Sequence, residues 1–337
     1  MTLHSSYIQQ GRRNVLMNGN FDSWRGGTSW TNITLDHTAM MTLFTKVGQA
    51  TYNVDRDTSS LPNSLSQYAH KVTVTAAEST VAAGDHSFVL IRIEGYDFVP
   101  LIGKPVTLSF WVRSSVPGTY CVALRNDAAD RSFIQEYTIN ESNTWEYKTI
   151  PMNLNFSGGT WEYGSGRGLI IYWGICNGTD RQSDTTGAWL SGNYLTTSNQ
   201  VNGAASINNT FHLAQCQLEI GIQATPFERL PIGMLEEMMN RYYFSRYLYI
   251  NGTQIQTGTG NLYASWDFPS VMRAAPTMSA PTTKQMWAGT WYTATGFQMS
   301  ANSYRCLCTM QYTGVSTYVA RAHGLMNVNP IIADARL

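Results

Sequence analysis

The stretch Val106-Thr107-Leu108-Ser109-Phe110-Trp111-Val112-Arg113 decides how this chain reads. Val106, Leu108, Phe110 and Val112 occupy alternate positions, with Thr107, Ser109, Trp111 and Arg113 between them. Successive side chains of a strand point to opposite sides, so this period marks a β-strand with one face in a core. Working outward, Tyr120, Val122 and Leu124 repeat the pattern after Pro117-Gly118, which reads as a hairpin. Residues 133–139 and 145–150 read as a second pair across 140–144. Leu169, Ile171, Trp173 and Ile175 form a further strand ending at Asn177-Gly178. In 211–220, Phe211 and Leu213 fall on one face, and Ala214, Cys216, Leu218 and Ile220 on the other. Earlier strands are expected near 40–47, 69–75 and 88–93.

Many short strands with turns between them and no intervening helices exclude a parallel α/β fold and indicate an all-β protein. The expected architecture is a jelly-roll β-sandwich over 14–230, a short connecting helix within 231–245, and a smaller C-terminal β-sandwich over 246–337. Pro231 precedes Gly233-Met234-Leu235-Glu236-Glu237-Met238-Met239-Asn240-Arg241-Tyr242-Tyr243, with acids early and a base late, as a helix dipole prefers. The spacing predicts a helix over 232–244. Beyond it, strands are expected near 246–250, 262–268, 286–292, 296–299, 304–311 and 331–335, with a loop over 251–261.

The chain has 337 residues, 22 basic and 22 acidic, and a formal net charge of zero. Its 13% charged content is about half the ~25% usual for a globular domain. No basic block is present to displace counterions, so nonspecific nucleic-acid binding is not expected. Aromatic content of 12% argues against disorder. No apolar run approaches the ~20 residues of a membrane span, and the polar residues 1–13 do not read as a signal peptide. Five cysteines, Cys121, Cys176, Cys216, Cys306 and Cys308, show no CxxC spacing, which fits free thiols in a reducing compartment.

No chemistry-bearing motif is evident. The six histidines share no ligand spacing, so no transition metal is expected. Asn18-Gly19-Asn20 and Asp55-Arg56-Asp57 carry oxygen donors that suit a structural calcium, although an ordinary polar turn is the more frequent explanation. No cofactor is implied. There is no GxSxG elbow, and Gly164-Ser165-Gly166-Arg167-Gly168 lacks the Walker lysine and reads as a hairpin turn. Glycoside hydrolysis needs two carboxylates across a sugar. Asp127, Asp130, Glu136, Glu146 and Glu162 are the available acids, with Glu146 alternating outward beside Trp145 and Asp127 and Asp130 in a turn.

The aromatics are more informative. Trp24, Trp30, Trp161, Trp173, Trp189 and Tyr194 lie beside Gly, Thr, Ser and Asn. A flat ring flanked by amides and hydroxyls suits an uncharged sugar, whose CH face stacks while its hydroxyls are bonded. Tryptophan in a sandwich more often packs in the core. Trp161 and Trp189, in loop-like surroundings, are the better exposed glycan-binding candidates, followed by Tyr194, Trp24 and Trp30.

Several stretches carry a resemblance. Asn14-Val15-Leu16-Met17-Asn18-Gly19-Asn20-Phe21-Asp22-Ser23-Trp24 resembles the opening strand of carbohydrate-binding-module-like jelly rolls of tailed-bacteriophage virion proteins. Gly103-Lys104-Pro105 with the strand that follows, and Thr144-Trp145-Glu146-Tyr147-Lys148, are similar to other strands of those domains. Gln217-Leu218-Glu219-Ile220-Gly221-Ile222-Gln223-Ala224-Thr225-Pro226-Phe227-Glu228-Arg229, followed by Arg241-Tyr242-Tyr243, resembles an ending of phage tail-fibre and appendage proteins. The resemblance covers roughly 14–245. Val271-Met272-Arg273-Ala274-Ala275-Pro276-Thr277 and the final Ile332-Ala333-Asp334-Ala335-Arg336-Leu337 look like a module that follows such helices.

The resemblance implies a non-enzymatic virion protein, a fibre or appendage, assembled in the bacterial cytoplasm and adhering to a host surface glycan. It also implies a homo-oligomer, with a trimer expected, attached to other virion proteins through residues 1–13. The alternatives are a purely structural head fibre, capsid decoration or tail adaptor, and a polysaccharide depolymerase.

Overall fold

The computed structural model describes residues 12–154, 158–246, 249–252, 258–279, 285–287, 291–293, 296–315, 322–325 and 331–337. The expected anchoring segment 1–13 lies outside these, apart from Arg12 and Arg13. The chain divides into two units between Leu235 and Glu236, with Leu337 belonging to the first.

The first unit is built from β1 (Ser29–Trp30), β2 (Leu35–His37), β3 (Thr42–Val47), β4 (Thr51–Asp57), β5 (Ala69–Ala76), β6 (His86–Glu94), a helical turn α1 (Gly95–Phe98), β7 (Pro105–Ser114), β8 (Gly118–Arg125), β9 (Arg131–Ile139), β10 (Glu146–Asn153), β11 (Arg167–Asn177), β12 (Trp189–Ser191) and β13 (Thr210–Ile220). Two antiparallel sheets result, ordered β1-β4-β5-β13-β7-β10 and β12-β9-β8-β11-β6-β3-β2. This is a β-sandwich of the jelly-roll kind, as the alternation predicts.

The alternating residues meet in one core. Val106, Leu108, Phe110 and Val112 from the six-stranded sheet are fully buried with Leu169, Ile171, Trp173 and Ile175 from the seven-stranded sheet. Phe110 contacts Trp173 and Tyr137 edge-on, with ring centroids 5.7 and 5.2 Å apart. Edge-to-face contact suits the aromatic quadrupole. A second apolar layer lies on the outer face of the seven-stranded sheet. There Phe88, Leu90, Ala123, Ile170 and Tyr172 are covered by Leu190, Tyr194 and Leu195 of the segment after β11.

Neither predicted hairpin forms. β7 and β8 belong to different sheets, as do β9 and β10. The chain crosses the sandwich at 115–117, where the Tyr120 hydroxyl donates to the Val116 carbonyl and lies 2.9 Å from Ser114 Oγ. Alternation marks which side of a strand is buried, and two strands on opposite walls of one core carry the same mark as two paired strands. The hairpin is between β8 and β9, closed by a turn at Asn126. Residues 164–168 form no hairpin turn either. Gly164 and Gly166 carbonyls accept from the Tyr96 and Gly95 amides, 3.0 and 2.9 Å, seating the loop on α1. A Cβ on Gly168 would lie 2.7 Å from Gly95 Cα, so this contact requires glycine.

β13 corrects a second expectation. Its pairing with β7 shifts between Ala214 and Gln217, and Gln215 adopts φ +47°. One extra residue in the strand reverses the parity. Phe211, Leu213, Cys216 and Leu218 therefore all enter the same core, although the sequence divides them between two faces.

The helix α2 spans Ile232–Met239, shorter than the predicted 232–244. After a turn, Tyr243 starts β14 (Tyr243–Arg246) and pairs with Asp334, so strand pairing takes the residues that helical spacing claimed. The second unit contains β15 (Tyr249–Gly252), β16 (Gly258–Asp267), β17 (Thr277–Ser279), β18 (Gln285–Trp287), β19 (Trp291–Thr293), β20 (Gly296–Ala301), β21 (Arg305–Val315), β22 (Ala322–Leu325) and β23 (Ile331–Asp334). These form three small antiparallel sheets, β14-β23-β17, β15-β22-β18-β19 and β16-β21-β20. The single strand expected over 286–292 is the hairpin β18–β19. Parts of the expected 251–261 loop are strand, since β15 reaches Gly252 and β16 starts at Gly258. Cys121, Cys176 and Cys216 are free, buried thiols, and Cys306 is buried as well.

Candidate functional site

The sequence candidates do not form one surface. Trp24 and Trp30 pair with ring centroids 5.9 Å apart. Trp30 lies on edge strand β1, and Trp24 stacks at 5.9 Å on His70, which is wholly buried. The Trp24 indole donates to the Phe21 carbonyl. This pair packs against the core beside the β1 edge.

Trp161 and Trp189 meet edge-on at 5.5 Å. Trp161 stacks on Phe98 at 5.3 Å, and its indole donates to Gly158 O, 2.9 Å. Trp189 sits on edge strand β12, and its indole reaches Asn153 O of edge strand β10 in the other sheet, 3.3 Å. The two rings join the sheets at that edge of the sandwich and are half-buried against the core. Tyr194 is half-buried over the outer apolar layer of the seven-stranded sheet. Trp173 is in the core.

The open aromatic surface lies elsewhere. β10 pairs with β7 so that Tyr147 stands opposite Trp111 and Thr149 opposite Ser109. Ile150 and Met152 fix the parity of β10 by entering the core, which turns Tyr147, Thr149 and Pro151 outward. Glu146 therefore does not alternate outward. It lies on the sandwich side, half-buried, accepts from the Asn140 and Glu141 amides at 2.7 and 3.0 Å, and pairs with Lys148 at 2.7 Å. Burial works to raise its pKa, and the bond from Lys148 and those amides hold it below the usual carboxylate value.

Trp111 and Tyr147 have ring centroids 5.4 Å apart at 45°, and Tyr147 is 43% exposed. Trp145 continues the row, donating to Ser60 Oγ at 3.3 Å and meeting His212 edge-on at 5.9 Å. Polar groups border the rings: Thr149 is exposed, and the Arg113 guanidinium holds Asn143 O at 2.8 Å. β10 is the last strand of its sheet, so the row is open on one side. Sequence reasoning passed over this pair, although the signal was present: Trp111 occupies the polar face of the alternating strand.

The acids are committed to local structure. Asp130 accepts from Asn126 and from the Thr160 amide, and Glu136 accepts from the Thr197 hydroxyl at 2.5 Å. Glu162 accepts from the Gly164 amide at 2.6 Å, and Asp127 pairs with Arg167 at 2.9 Å. Of the oxygen-rich stretches, Asp55-Arg56-Asp57 is the end of β4 rather than a loop. Asp57 there is buried and lies 3.4 Å from His212. Asn18 is spent on a polar turn, bonding Ser23 N, Ser23 O and Met40 O. Among the described residues no group of three His, Cys, Asp or Glu gathers to hold a metal.

The motif Gln217-Leu218-Glu219 works as a staple. Glu219, 2% exposed, accepts from Gln217 Nε2, from the Thr225 amide and from the Thr225 hydroxyl at 2.8, 2.8 and 2.6 Å. Gln217 Oε1 accepts from Glu228 N at 2.8 Å, and Glu228 accepts from Asn14 N at 2.7 Å. The motif therefore fastens the segment after β13 to the strand end and to the start of the domain.

No protein-family model matches the chain, and no curated protein matches it. Solved structures do. The enzymatically active domain of bacteriophage CBA120 tailspike protein 4 is similar over 62% of this chain at 11% identity and TM-score 0.32, and the match spans about a fifth (21%) of that chain. TmCBM61 in complex with β-1,4-galactotriose matches at 11% identity and TM-score 0.32, over 62% of this chain and 100% of that one. The family 11 carbohydrate-binding module of Clostridium thermocellum with a β-1,3-1,4-mixed-linked tetrasaccharide matches at 9% identity and TM-score 0.32, over 58% and 98%.

Proposed function

We propose that this chain is a non-enzymatic structural protein of a tailed-phage virion that adheres to a host surface glycan. The observation that carries adhesion is the in-register pair Trp111–Tyr147, half-open where edge strand β10 lies on β7 and bordered by the Thr149 hydroxyl and the Arg113 side chain. Rings held by a sheet lose little entropy on binding, and a sugar CH face covers apolar area that the fold leaves wet. The virion assignment draws on the Gln217–Glu219 and Pro226–Glu228 motif, which this structure explains as a staple. A trimer attached through residues 1–13 to other virion proteins completes the proposal. Glycan-array and whole-cell binding with the purified chain test it. Binding that Trp111→Ala or Tyr147→Ala abolishes is expected; no binding to any host cell or host polysaccharide overturns the adhesion role.

One observation favours a purely structural role, as head fibre, capsid decoration or tail adaptor. The chain spends Trp161, Trp189 and Tyr194 on closing its own sandwich and covering its own sheet. A position on the virion with the Trp111 face buried against other proteins supports that reading.

A further inference from the structure

The outer face of the seven-stranded sheet carries a concentration of positive charge that the neutral total conceals. Four arginines surround Tyr172 of β11: Arg92 on β6, Arg125 on β8, Arg167 at the start of β11, and Arg181 in the turn Thr179–Arg181. Register fixes two of them, because Ile170 pairs with Arg92 on one side and Arg125 on the other. Two strand spacings put their Cα atoms about 10 Å apart. The Arg125 guanidinium carbon lies 5.0 Å from the Tyr172 ring centroid.

Among the described residues, Arg167 alone of the four pairs with a side-chain carboxylate, that of Asp127 at 2.9 Å. Arg92 rests on a main-chain oxygen of Leu337, and neutral acceptors hold the other two: Asn193 Oδ1 for Arg125 at 2.9 Å, and His86 Nε2 for Arg181 at 3.4 Å. His86 is held below the ordinary histidine pKa, first by its burial, and its Nδ1 faces Gly84 O at 3.0 Å, so it accepts as a neutral ring. Nε of Arg92 and of Arg125 is buried without a partner. Asp127 acts on Arg92 and Asp180 on Arg181, each from the margin of the cluster. Burial and the neighbouring Arg167 push Arg92 down to about 10. All four side chains remain partly exposed, and a guanidinium offers five donors in a fork that fits an oxyanion.

We propose that Arg92, Arg125, Arg167 and Arg181 form an oxyanion site that holds the carboxylate or phosphate of an acidic glycan. The glycan part of this rests on the adhesion reading above, while the site itself lies on the opposite sheet from Trp111. Titration calorimetry of the full chain with trigalacturonate and, separately, inorganic phosphate tests it, at 50 and 300 mM NaCl. Arg181→Gln changes a surface turn, and Arg125→Lys keeps the charge while losing the fork; thermal melts confirm that each is folded. The expected result is binding that weakens at least fivefold at the higher salt and at least tenfold in both variants. Response to phosphate but not to trigalacturonate assigns a phosphate-bearing glycan, and the converse a uronate. No binding of either probe, or binding that both variants leave intact, overturns the site. Neutral-oligosaccharide binding in the same preparation separates the two readings: retained while both anions fail, it removes this site alone; absent while the anions bind, it removes the Trp111 platform alone.

Discussion

Thr225 delivers both its amide and its hydroxyl to one carboxylate, that of Glu219, at 2.8 and 2.6 Å. The pair closes the segment after β13 onto the strand. Glu219→Ala strands two Thr225 donors and the Gln217 amide. With each buried unpaired group costing about 1–3 kcal/mol, a loss of roughly 2–4 kcal/mol is expected. Urea unfolding checks it: a lower midpoint with unchanged slope is the predicted outcome, and a midpoint equal to wild type contradicts the staple.

Trp111 and Trp173 separate binding from stability. Trp173 is fully buried against Phe110, so Trp173→Ala is expected to cost about 3–5 kcal/mol. Trp111→Ala removes a half-exposed ring, with an expected cost of about 1 kcal/mol and a loss of glycan binding of tenfold or more. Melting temperature and binding isotherms on the two variants distinguish them. Equal effects of both on stability contradict the assignment of Trp111 to an open platform.

Acid should weaken the fold through His70. Burial first, then the charge of His212, lowers its pKa to about 3, and its ring lies 2.8 Å from Thr38 Oγ1. The unfolded chain takes up this proton near pH 6.5 while the folded one refuses it, so the contribution is fully present above pH 6.5 and is lost as pH falls from there toward 3. The loss amounts to roughly 3 kcal/mol at pH 4. Asp57 adds in the same direction. Burial works to raise its pKa, and hydrogen bonds from His212 and Ser59 more than offset that, so its stabilisation is present above the unfolded carboxylate pKa and fades in acid. His70→Gln should flatten the part of the stability profile between pH 6.5 and 4; an unchanged profile contradicts this account.

The thiols of Cys121, Cys176 and Cys216 should be inert in the native protein. Burial raises all three, with Cys176 pushed up to about 11, and only a thiolate reacts. Alkylation at pH 8 followed by peptide mass mapping should find them unmodified until denaturant is added. Rapid native labelling of any one of them would show that its strand opens locally.

The period of two in Val106–Val112 was enough to place an antiparallel sandwich and to name much of its core, because burial on one face leaves a direct mark on a strand. Scarce charge and abundant hydroxyl and amide groups were equally plain in the composition. Partnership left no such mark. Whether β7 turns back on β8 or crosses to the facing sheet depends on contacts between residues far apart in the chain, and both arrangements have the same alternation. The bulge at Gln215 is pinned by its amide on Asn63 and Ser66, some 150 positions away, so its parity reversal was invisible locally. Trp161 and Trp189 look exposed in a polar stretch, yet each finds its partner across the sandwich edge. Trp111 and Tyr147 become a platform only when β10 registers on β7, and four scattered arginines become a cluster only when β6, β8 and β11 lie side by side. Sequence by itself determined which faces are apolar, a property of each strand alone. Tertiary structure decided which faces meet and which stay open, because strand pairing and sheet closure are set by the joint burial of distant residues.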